Sequence, residues 1–251
     1  MCPMGVRTVR RTSLRGIVAL IVLLACLAPA STITAATTPR SDPGWDLRPQ
    51  IMWKPIPFPD LRKDQTAAYS RRHSGSRSWR LEDPAVIVEH FTGGRSMQSA
   101  WNTFATNARH LDEKPGTCAH FIVDTDGTIY QLVDREVRCR LTIGLDDAAI
   151  GIEHVGRSAR AVLRNHAMMR SSLRLTIWLM ATYGIEVRDV IGHAESLESP
   201  YHHERYAEWR CLTRPDFDRH DMRRYRDRLR DLARANDVPV GPPPEWVDSG
   251  C

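Results

Sequence analysis

The sequence of 251 residues predicts an α/β fold, a single mixed central sheet with helices on its faces. Short apolar runs alternate with helix-like stretches from Ala85 onward, the pattern of one sheet covered by helices. Asp126-Gly127 sits between two such runs and marks a tight hairpin. The longest helical stretch, Asn165 to Tyr183, carries more apolar residues than expected of a surface helix.

Each element follows in order. Ala85-Val86-Ile87-Val88 reads as a buried strand that runs on to His90. Ser96 to His110 is a helix with Ser96 as N-cap and Met97, Ala100, Trp101, Phe104 and Ala108 as its apolar side. Ala119 to Val123 and Thr128 to Val133 are the hairpin strands, and Ala149 to Val155 is a second buried strand. The long helix closes on Gly184, and Val190-Ile191-Gly192 is a last short strand. Met222, Tyr225, Leu229 and Leu232 form the inward stripe of the final helix, whose arginines form a solvated outer face.

The termini read differently. Arg7, Arg10, Arg11 and Arg15 precede a short apolar core, Gly16 to Leu27, and small residues follow, as in an export signal. Residues 1–30 are therefore expected to be a signal peptide, with Cys26 lipidated if Leu23-Leu24-Ala25-Cys26 acts as a lipoprotein box. Residues 31–84 are expected to be a spacer and an extended arm lying on the domain, anchored by Ile51, Trp53, Ile56 and Phe58. Residues 85–236 form the predicted domain, and 237–251 a proline-rich tail. The formal charge of +5 falls to +1 without the four signal arginines, so the basic balance gives no argument for nucleic acid. Four cysteines remain beyond the signal, Cys118, Cys139, Cys211 and Cys251; after export they allow three disulfide pairings, unless the terminal Cys251 is free.

Three remote side chains fit one catalytic zinc: His90 at a strand end, His193 after a glycine, and Asp216 in the loop Thr213-Arg214-Pro215-Asp216-Phe217. Two imidazoles and one carboxylate leave a fourth tetrahedral position open. His202, His203, Cys211, Asp218 and His220 compete with Asp216 for the third place. Glu153, an acid on an apolar strand, is the expected general base. His120 and His154 are expected to pack or hydrogen-bond locally.

Five stretches together resemble the zinc-dependent N-acetylmuramoyl-L-alanine amidases, whose fold is shared with peptidoglycan recognition proteins. They are Val86 to Thr92, Cys118 to Asp124, Asp126 to Val133, Ala149 to Gly156 and Val190 to Glu195. The resemblance implies a zinc at the bottom of a groove, and hydrolysis of the amide joining N-acetylmuramic acid to L-alanine in cell-wall peptidoglycan. It implies His90, His193 and Asp216 as metal ligands, Glu153 as the residue that activates water, and Arg214 as the oxyanion partner. Leu141 stands where the family usually has a histidine, Asp146 where asparagine is more usual, and Ala119 where some relatives have a tyrosine. The alternative is a binding module of the same fold that holds muropeptides without cutting them. The expected partner is peptidoglycan or a muropeptide, with membrane contact only through a lipidated Cys26. An exported monomer is expected.

Overall fold

A computed structural model describes residues 47–251; the expected signal, Cys26 and the spacer up to residue 46 lie outside the described residues. Six strands form one mixed sheet: β1 (Met52–Trp53), β2 (Val86–Phe91), β3 (Phe121–Val123), β4 (Ile129–Gln131), β5 (Ala149–His154) and β6 (Val190–Gly192). Their order is β1-β4-β3-β5-β2-β6, and β3-β4 is the one antiparallel pair. The helices are α1 (Asp60–His73), α2 (Met97–Ala105), α3 (Ala159–Arg164), α4 (His166–Tyr183) and α5 (Arg219–Ala235). The predicted sheet and flanking helices are thus present.

β2 and β5 lie at the centre, in parallel register from Val86 opposite Ala149 to Phe91 opposite His154. Both are apolar runs because both faces are covered. Side chains alternate between the faces. Ile87, Ile150 and Ile152 join the main core with Leu175, Leu179, Met222 and Leu229 of α4 and α5. Val86, Val88, Ala149 and Ile191 enter a smaller cluster on the other face, beneath Leu145 and Trp246. Continuing that alternation puts His90, Glu153 and His193 on the second face, where the small cluster ends.

The helix ends follow local chemistry. Ser96 Oγ caps α2 by accepting from Ser99 N at 3.2 Å. The helix stops at Ala105 and does not reach His110, because Asn107 takes a left-handed φ of 48° and its Oδ1 accepts from Gly116 N. Asn165 Oδ1 caps α4 through Met168 N, and Gly184 ends it with φ 70°.

The expected extended arm requires correction. Only its first part is extended; Asp60–His73 forms the 14-residue α1. This helix lacks an apolar stripe and buries Arg62, Thr66, Tyr69, Ser70 and His73 instead. Arg62 donates to the carbonyls of Pro57, Phe104, Gly116 and Thr117, which offsets the cost of burying its charge. Loss of hydration pulls its pKa down to about 10.

Two disulfides form, Cys118–Cys139 and Cys211–Cys251. Cys251 is therefore bonded. The tail that leads to it lies along the domain: Val247 N donates to Glu198 O at 3.0 Å, and the Trp246 ring lies under the guanidinium groups of Arg219 and Arg226.

Candidate active site

His90, His193 and Asp216 converge. Among the described residues they are the set of three potential metal-ligating side chains whose donor atoms all lie within 4.8 Å of one another. His90 Nδ1 and His193 Nδ1 are 3.1 Å apart, and each is 3.8 Å from Asp216 Oδ2. A tetrahedral zinc with arms of about 2.0–2.1 Å places its ligand atoms about 3.3 Å apart, close to these spacings. Burial lowers the pKa of both imidazoles, and the positive Arg214 nearby adds to the effect. Both are therefore neutral at pH 7, the form that binds metal. The residues present fit a zinc ion.

Specific contacts aim each donor. Thr142 Oγ1 lies 3.1 Å from His90 Nε2, so an Nε2–H donated to the hydroxyl turns Nδ1 toward the other two ligands. His193 follows the end of β6. There Gly192 N donates to Glu195 Oε2 at 3.0 Å, and Arg226 of α5 holds both Glu195 oxygens, at 2.7 and 2.8 Å. Arg226 also donates to Val190 O, so one buried ion pair fixes the backbone on both sides of Ile191.

The Asp216 loop is stitched to the same turn. Ala194 N donates to Asp216 O at 2.9 Å, and Thr213 Oγ1 donates to His193 O at 2.9 Å. The loop approaches so closely that a Cβ on Gly192 would overlap the Phe217 carbonyl oxygen. Glycine is needed there because backbone must lie against backbone.

Glu153 is paired in register with His90 across β5 and β2 and is buried, with its Oε2 lacking a hydrogen-bond partner. Burial, reinforced by the Asp216 charge and opposed by Arg214, raises its pKa to about 8. His90, Glu153, His193, Arg214 and Asp216 all line one cavity of about 400 Å³. Arg214 is exposed at its edge. Phe104, Leu111, Leu141 and Leu212 supply apolar wall.

The competitors for the third ligand do not join this set. Cys211 is consumed in a disulfide, and Asp218 Oδ1 caps α5 through His220 N and Asp221 N. His120 accepts from Gly151 N and bonds Val137 O, while His154 lies between His90 O and Ser172 Oγ. Both are held locally, as expected.

Leu141 lies over Gly151, where any Cβ would strike its Cδ2, so its side chain fills the wall beside Glu153. Asp146 accepts from the amides of Leu141 and Thr142 at 2.8 Å and from Tyr69 Oη at 3.1 Å. Burial raises its pKa to about 6. It shapes the loop that carries Thr142.

Sequence reasoning missed Thr142, the Glu195–Arg226 pair and His110, which also lines the cavity. A buried arginine on the inward side of α5 was the available signal, masked by the helix's many exposed arginines.

The family profile described as N-acetylmuramoyl-L-alanine amidase matches residues 80–208, just over half of the chain. That span contains His90, Glu153 and His193; Arg214 and Asp216 lie beyond it. Searched against curated proteins, the sequence has no match. Among solved structures, the chain is similar to an endolysin N-acetylmuramoyl-L-alanine amidase from Clostridium intestinale. Identity is 21%, over 58% of this chain and 81% of that one, with a TM-score of 0.41. A mutant endolysin from Bacillus subtilis is 23% identical over 58% and 84% of the two chains, TM-score 0.39. Human PGRP-IBETAC in complex with glycosamyl muramyl pentapeptide is 22% identical over 45% and 74%, TM-score 0.39. With its profile match spanning the central strands and two of the three converging side chains, this chain belongs to the N-acetylmuramoyl-L-alanine amidase family.

Proposed function

We propose that the chain is an exported, zinc-dependent hydrolase of peptidoglycan that cleaves the amide between N-acetylmuramic acid and L-alanine. The observation that carries this reading is the convergence of His90, His193 and Asp216 beside a buried, cavity-lining Glu153. Family membership supports the substrate class. Two disulfides and the signal-like amino terminus support export.

Zinc held by the three ligands would supply Lewis acidity, polarising the scissile carbonyl and acidifying water. Glu153, whose carboxyl is raised to about 8 by burial, takes the proton of the attacking water and returns it to the departing L-alanine nitrogen. A C–O bond forms, the C–N bond breaks, and the proton count balances. Arg214 offers a permanent positive charge to the oxygen that gains negative charge. Residues 85–236 carry all of these groups, and β1, α1 and the tail to Cys251 pack onto them.

The test combines zinc content with turnover on purified peptidoglycan, for wild type and Glu153→Ala. The expected result is about one zinc per chain in both, new L-alanine amino termini from the wild type, and none from the variant. A wild type that binds zinc and muropeptide without turnover would support the binding module instead. Against that alternative stands the full set of three ligands, none of them replaced.

A further inference from the structure

Outside the cavity, the charge distribution is lopsided. Residues 157–184, which include α3 and α4, contain five arginines and no acidic residue. Arg157, Arg160, Arg164, Arg170 and Arg174 are all exposed. None is in an ion pair among the described residues, and neither helix has an acid in its first turn. Arg160 and Arg164 are four residues apart on α3, as are Arg170 and Arg174 on α4, so each pair repeats at about 6 Å along its helix. Like charges at this spacing destabilise a helix, so stability does not explain the pattern.

The neighbouring α5 shows the ordinary arrangement. There Arg230 pairs with Asp227 at 2.7 Å and Arg234 with Asp231 at 3.5 Å. α3 packs on both α4 and α5, and Arg228 of α5 donates to Leu163 O, which adds one more cation at the end of α3.

The large exposed apolar side chains of the described residues include none from α3, α4 or α5. A surface that inserts into lipid interleaves such groups with its basic residues. This face offers charge alone. Guanidinium forks match phosphate oxygens, and repeated phosphates along one chain suit cations repeated along two helices.

We propose that the outer face of α3 and α4 docks a linear phosphodiester polyanion of the cell wall and so holds the enzyme near its substrate. The choice of a wall polymer rests on the proposed peptidoglycan hydrolase function; the binding itself rests on the arginine face.

The test measures binding of the full chain to poly(glycerol phosphate), and in separate arms to phosphatidylglycerol vesicles and duplex DNA. The proteins are wild type, Arg160→Gln/Arg164→Gln/Arg170→Gln/Arg174→Gln, and a control Arg230→Gln/Arg234→Gln. Wild type and control should bind the polymer, with affinity falling on the order of a hundredfold between about 50 and about 200 mM salt for some four phosphate contacts. The fourfold variant should bind at least about tenfold more weakly, while cleaving a soluble muropeptide at the wild-type rate. Absence of polymer binding, equal binding by the fourfold variant, or tighter binding to vesicles or DNA would overturn the proposal. A wild type that binds polymer yet cleaves no muropeptide would count against the amidase function and leave the docking face standing.

Discussion

The two faces of β2 and β5 carry the same residue types with different surroundings. On the helix side, Glu89 lies 3.7 Å from His154 Nε2. On the cavity side, Glu153 pairs in register with His90. Burial raises both carboxyls to about 8 and keeps both imidazoles neutral. Behind the sheet, Glu89 Oε1 accepts from Thr176 Oγ1, and Tyr225 Oη joins Thr176 to Ser172 and so to His154. In front, Glu153 opens on a cavity shared with three convergent donors. A shifted pKa is thus common to a sealed network and to a site that can do chemistry; access separates them.

The sharpest way to break this comparison is to neutralise each carboxyl. Glu153→Gln should cut turnover by about 10²–10⁴, the usual worth of a general base, with zinc retained. Glu89→Gln should leave kcat within a few-fold and act on thermal stability. If steady-state kinetics give the two variants equal losses, access is not what distinguishes the faces.

Next in size is the buried clamp behind His193. Arg226→Met strands the Glu195 carboxylate and should cost about 3–5 kcal/mol in denaturant unfolding. It should also weaken zinc binding in a chelator titration, because the turn carrying His193 loses its anchor. Unchanged zinc affinity would reduce the clamp to a purely structural part.

Removing Ser172 Oγ sharpens the other side. Ser172→Ala deprives His154 and Tyr225 of one partner and should destabilise by about 1–3 kcal/mol, with kcat unchanged. A fall in kcat with stability intact would show that the network reaches the cavity through the His90 backbone.

A pH slope tests both faces at once. Glu89 and Glu153 bind a proton in the folded chain up to about pH 8 and release it near 4.5 when unfolded. Folded chains therefore hold more protons between those values, and the stability of chelator-treated protein should fall as pH rises through that window. Thermal unfolding across pH reads this directly, and each Gln variant should remove its own share of the slope.

The converging triad was legible because each member sits in a short recognisable run: His90 ends an apolar strand, His193 follows a glycine, and Asp216 stands two residues after Arg214. The central strands were legible for a related reason, since burial on both faces leaves an apolar run. α1 was not, because it packs through polar groups. Arg62 meets four backbone carbonyls, and His73 stacks between Tyr69 and Trp209. No periodicity in Asp60–His73 announces such contacts. The Glu195–Arg226 pair escaped for another reason: its members are 31 residues apart and belong to different elements.

The Cys211–Cys251 bond closes a covalent ring of which α5 is itself a part. Unwinding α5 therefore cannot separate the segments that flank it, because they stay tethered through sulfur. The segment leading to Cys251 is also held by the packing of Trp246 and by Val247 N donating to Glu198 O. Cys211 directly precedes Leu212 and the Asp216 loop of the cavity wall, so the tether limits how far that wall can move from the domain.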